Sequence, residues 1–152
     1  MSLHITMGRC RSRNRSRELA REDAAEARNE VTAITKELAA QLDSELVVAR
    51  CCKALQNDKL SLAAASPDVL LLVLNALRRH ASCAAVTEEA WCALSWLPIY
   101  RANEEAAVEH GLLELALAVV YDTTASVEAV TASLAVFVQL CFFQITWHAL
   151  RS

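Results

Sequence analysis

From Glu18 onward the apolar residues of this chain recur three and four positions apart. Val31, Ile34, Leu38 and Leu42 form one stripe, joined by Ala24 and Ala39. That spacing predicts an amphipathic helix. A second apolar set, Val47, Val48, Cys51, Cys52 and Leu55, predicts a helix over Glu45–Leu55, interrupted at Asn57-Asp58. A short apolar segment, 60–65, follows. Ser66-Pro67-Asp68 is then a helix start: a hydroxyl to cap, a proline for the first position, and a carboxylate at the positive end of the dipole. The helix it opens carries Leu70, Leu71, Val73, Leu74 and Leu77 and closes on Arg78, Arg79 and His80, cations at the negative end. Val86, Ala90, Trp91, Leu94 and Leu97 predict the next helix, ended by Pro98. A short helix is expected over Asn103–His110. Gly111 marks a sharp break, 112–120 is helical again, Tyr121–Thr124 is a turn, and a last apolar stretch runs from Val127 to Leu150.

Composition strengthens the helical reading. Only 2 Gly and 2 Pro occur in 152 residues, and aromatics make up 5%. A sheet protein needs more turn punctuation and more aromatic residues. The net charge of -3 hides an uneven distribution. Arg9, Arg11, Arg13, Arg15 and Arg17 alternate with Cys, Ser and Asn and include no acid. Residues 1–17 also lack hydrophobic periodicity and are expected to form a disordered tail, with the helical domain spanning 18–152. The tail has no aromatic residue on which a base could stack, so nucleic acid is not the expected partner. Cys51, Cys52, Cys83, Cys92 and Cys141 fall in apolar helical patterns, without a secretory leader, and read as reduced, small hydrophobes.

A longer period emerges when the helices are compared. Leu71, Leu72 and Leu74 match Leu112, Leu113 and Leu115, and Val86 matches Val127. In a second register Cys51/Leu55, Ala90/Leu94 and Val130/Leu134 repeat. Both offsets are about forty residues, the range of two- and three-helix solenoid repeats. The stretch 74–113 reads L-N-A-L-R-R-H, then V-T-E-E-A-W-C-A-L-S-W-L, then N-E-E-A-A-V-E-H-G-L-L. This resembles an armadillo repeat, with Val86, Ala90, Ala93, Leu94 and Leu97 as third-helix core. Asn103, Val108 and Gly111 fit its short first helix. The resemblance covers one repeat well and its neighbours partially. It implies an all-α, armadillo-like α-solenoid of about three short repeats, and a scaffold that binds a protein partner or extended peptide. In peptide-binding armadillo proteins a third-helix asparagine holds the peptide backbone. That position falls here on Asn57, Trp96 and Val136, so only Asn57 matches.

Chemistry has little to stand on. Cys51 and Cys52 are adjacent and make no C-x-x-C pair. His80 and Cys83 have no second pair at zinc-site spacing. Glu104, Glu105 and Glu109 read as a solvated face, and one glycine after residue 17 cannot build a phosphate loop. No enzyme, metal or cofactor is expected. The candidate partner-contact residues are Asn57 together with Glu88, Cys92 and Trp96, which share a face at four-residue spacing; Trp is favoured at binding hot spots.

Between Ala129 and Leu150 there is no Asp, Glu, Lys or Arg. An apolar span of about twenty residues is long enough to cross a bilayer, so a small helical protein anchored by 129–150 is the second reading. Thr131, Ser133, Gln139, Gln144, Thr146 and His148 weaken it. The preferred reading is a buried third helix that leaves an unfinished apolar face, with Phe142 and Phe143 as contact residues for self-association or a following repeat. A cytoplasmic protein, with the nucleus as a further location, is expected.

Overall fold

The computed structural model describes residues 5–97 and 101–151. Among them the chain forms helices and no strand. The helices are α1 (Ile5–Ala40), α2 (Glu45–Ala54), α3 (Asp58–Ser61), α4 (Pro67–Arg79), α5 (Ala84–Trp96), α6 (Arg101–Glu109), α7 (Leu112–Tyr121) and α8 (Val127–Arg151). The all-α class read from Ala, Leu and sparse Gly and Pro is therefore observed.

Local chemistry explains the helix ends. The Ser66 hydroxyl accepts from the Val69 N–H at 3.3 Å, and Pro67 occupies the first turn of α4. A cap of this kind contributes about 1 kcal/mol. Gly111 opens α7 at φ 71, the left-handed region that a side chain disfavours. This is the sharp break anticipated there. Before α8, the Asp122 carboxylate accepts from Thr124 N at 2.8 Å, and the Ser126 hydroxyl accepts from Ala129 N at 3.1 Å.

The arginine-rich segment leads into α1. Residues 1–4 of it lie outside the described residues, and from Ile5 the backbone of α1 runs through it without a break. Apolar periodicity is needed to pack a helix, whereas Arg propensity alone favours the helical backbone. Packing on the rest of the fold belongs to the later part of α1. There Val31 and Leu38 are buried, while residues 17–26 are exposed.

Packing centres on α5, which lies between α2 and α8 and makes its most extensive contacts with both. The α4 and α7 helices lie against α5 and α8 respectively, and α1 covers α2 and reaches α3 and α4. Because α5 is covered on several sides, it buries Val86, Ala90, Trp91, Ala93 and Leu94. The small Ala90 and Ala93 let neighbouring helices approach closely.

Two sequence readings need correction. First, His80 does more than complement the dipole of α4. It is 9% exposed, and its Nε2 lies 2.7 Å from the Leu42 carbonyl oxygen. A carbonyl only accepts, so Nε2–H donates and ties the end of α4 to the α1–α2 corner. Second, the register of α8 is shifted. Val127 and Leu134, paired above with the core residues Val86 and Leu94, are 77% and 42% exposed. Ala129, Ser133, Val136 and Leu140 are buried instead, as is Ala132, and the first four repeat Val86, Ala90, Ala93 and Leu97 at one constant offset. The capped turn Asp122–Ser126 lengthens the connection before α8, so the buried positions of α5 and α8 match at a slightly larger offset than the sequence comparison indicated. Val136 is consequently core, and Gln139, which is exposed, takes the place equivalent to Trp96.

Candidate interaction surface

The exposed ridge of α5 is built by helical spacing. Glu88, Cys92 and Trp96 follow one another at intervals of four, on the side of α5 away from its buried set. Glu88 and Cys92 are half-buried, and Trp96 is 49% exposed. An indole held half in water at a helix end offers a large, stiff contact at low entropic cost. Burial pushes the Cys92 thiol up, and the carboxylates of Glu89, Glu88 and Glu128 add to the effect. These three acids thus set a negative potential around the ridge.

One of them is already satisfied. Glu89 accepts from Gln56 Nε2 at 2.6 Å through Oε2, and its Oε1 lies 3.6 Å from Lys53 Nζ. The same Gln56 amide donates to the Glu89 backbone carbonyl at 3.2 Å. These contacts close the seam between α2 and α5 and were not anticipated. Their only sequence signal is a Lys and a Gln at one turn's separation, which is too common to read. Among the described residues no ion pair involves Glu88 or Glu128.

The other candidates lie elsewhere. Asn57 is exposed and caps α3, its Oδ1 accepting from Lys59 N at 3.0 Å. It lines a groove between α1 and α3 together with Asp23, Glu26 and Leu62. Phe142 is 70% exposed on α8, and the side chain of Phe143 lies outside the described residues. Phe142 continues a stripe formed by Val127, Leu134 and Val138, of which Val138 is 62% exposed. On α7 the exposed Leu117 and Tyr121 precede it. Sequence reading named Phe142 but missed Val127, Leu134 and Val138, because the scattered polar residues of α8 do not mark one outward face.

Five cysteines are described, Cys51, Cys52, Cys83, Cys92 and Cys141, and none is in a disulfide. Desolvation pushes the Cys52 thiol up to about 12 and raises Cys51 as well. Alkylation requires the thiolate. Iodoacetamide labelling of Cys52 at about pH 8 is therefore expected to be about a hundredfold or more slower in the native chain than in the urea-unfolded chain. Peptide mapping by mass spectrometry checks this, and equal rates would show that Cys52 is accessible.

Among the described residues no three His, Cys, Asp or Glu side chains converge on a point where they would hold a metal ion. No helix among them is long and apolar enough to cross a membrane. No protein-family model, curated protein or solved structure matches the chain.

Proposed function

We propose that this chain is a non-catalytic protein-interaction module, a short armadillo-like α-solenoid of about three repeats. The order of elements supports the reading. A short helix, a middle helix and a third helix follow one another as α3–α4–α5 and again as α6–α7–α8, with α1 and α2 as a partial leading unit. The third helices α2, α5 and α8 lie side by side. In such a stack each unit buries its apolar face only against its neighbours, and successive third helices form one continuous surface.

The observation that carries the binding role is the half-exposed Trp96 on a ridge with Glu88 and Cys92. The carboxylates near that ridge select a partner of opposite sign. The occupant is an extended basic peptide segment of another protein, with an Arg guanidinium stacked on the Trp96 ring. Five unpaired cysteines suit a reducing compartment such as the cytoplasm. The outward stripe of α8 adds a second contact, through which copies of the chain self-associate.

The binding role is tested with an arrayed library of extended peptides. Arg-containing peptides are expected to be retained over acidic ones. Trp96→Ala should weaken them about tenfold or more, while costing about 1 kcal/mol of stability, because half of the ring is already in water. Retention unchanged by Trp96→Ala, or a stability loss of the size expected for a buried aromatic, would overturn the assignment.

A further inference from the structure

A cavity of about 350 Å³ opens between the end of α4, the α4–α5 turn, α5, α7 and the α7–α8 turn. Small-molecule sites occupy roughly 300–1,000 Å³. Its inner wall includes Leu77, Trp91 and Ala129, all buried, and its α7 side is Leu115 and Val119. The outer rim is polar and exposed, with Arg78 and Asp122 among its members.

Two residues that line this cavity each carry a buried side-chain polar atom without a partner in the chain. Thr87 Oγ1 and Trp91 Nε1 are buried and make no hydrogen bond within the chain. Among the described residues they are the buried side-chain polar atoms for which this is so. Both residues line the same cavity. They stand four apart on α5, hence on one face, away from the Glu88–Cys92–Trp96 ridge. An indole N–H only donates, whereas a hydroxyl donates or accepts. A single oxygen with two lone pairs can therefore serve both. Burying such groups unmatched is costly, which is why native interiors pair nearly all of them.

The charges at the rim are committed elsewhere. Arg78 donates to the His110 carbonyl. Asp122 accepts from Thr124 N at 2.8 Å and from the Thr124 hydroxyl at 2.7 Å. Apart from these charges the cavity is lined by apolar residues and by neutral polar side chains, Thr87 and Trp91 with Ser82, Thr124 and Ser126, a poor place for a charged guest.

We propose that this cavity binds a small neutral molecule with an apolar body and one carbonyl oxygen, which accepts hydrogen bonds from Trp91 Nε1 and Thr87 Oγ1. The site is independent of the ridge, so either assignment can fail alone.

Nuclear magnetic resonance titration of the full chain tests it with two probes of nearly the same shape. Acetophenone carries the carbonyl, and α-methylstyrene replaces its oxygen by a methylene. The Trp91 indole N–H resonance is assigned by its loss in Trp91→Phe. Acetophenone is expected to move that proton downfield saturably, and α-methylstyrene is expected not to. Thr87→Val, which keeps the shape and removes the hydroxyl, should weaken acetophenone about tenfold relative to α-methylstyrene. Ala118→Phe, at an exposed position on the cavity edge, should abolish binding of both without changing the thermal midpoint. The proposal is overturned if neither probe moves the Trp91 proton, which would mean that water alone meets these atoms. It is also overturned if Thr87→Val affects both probes alike.

Discussion

Trp91→Ala is expected to cost about 3–5 kcal/mol of folding stability, the range for removing a buried aromatic from a core. Trp91 is 0% exposed, on the helix enclosed between α2 and α8. Its removal leaves a void in the interior that the residues around it, among them Leu77 and Ala129, fill only partly. In a urea titration followed by circular dichroism the midpoint should fall while the slope stays constant. The thermal midpoint should drop on the order of 10–20 °C. Trp96→Ala, five positions along the same helix, should cost far less. The contrast is a direct check on the fold, because it follows from which side of α5 each indole occupies. Equal losses, or a larger loss at Trp96, would mean that α5 is rotated from the orientation described.

The second large effect is on association. Leu134→Lys combined with Val138→Lys should convert a self-associating chain into a monomer with little change in helix content. Both residues face outward, 42% and 62% exposed, on the stripe that continues to Phe142. On α8 the exposed residues Val127, Leu134, Val138 and Phe142 are apolar, α7 adds Leu117 and Tyr121, and an exposed apolar stripe of this kind marks an interaction site. Lysine at two central positions places charges that cannot be desolvated between apolar surfaces. Sedimentation velocity reads the oligomeric state. A wild-type chain that is monomeric at tens of micromolar, or a double variant that unfolds, would remove self-association through this face.

Much of the local structure was legible before any coordinates. Ser66-Pro67-Asp68 names a helix start because a cap, a fixed φ and a dipole charge coincide within three residues. Gly111 names a break because the chain there takes φ 71. Trp96 falls at the position the armadillo resemblance gives to the peptide-holding asparagine and is 49% exposed, whereas Trp91, read as a core residue, is 0% exposed. Asn57 shows the limit of such reading. Its position relative to the Ala-Leu core suggested a peptide-holding role, and in the fold its Oδ1 also caps α3. A side chain that satisfies a helix end and one that awaits a ligand look the same in sequence.

The sequence by itself determined the helical class, most helix boundaries and the faces of the strongly amphipathic helices. These depend on interactions within about one turn, which residue order states directly. Tertiary structure alone decided the register of α8, the His80–Leu42 tie, the Lys53–Gln56–Glu89 seam and the cavity beneath Thr87 and Trp91. In α8 apolar residues dominate and the few polar ones do not share one face, so periodicity could not say which side faces in. The other three join residues brought together from separate helices. Such contacts depend on where whole helices come to rest, and the pairing of their side chains leaves no trace in spacing along the chain.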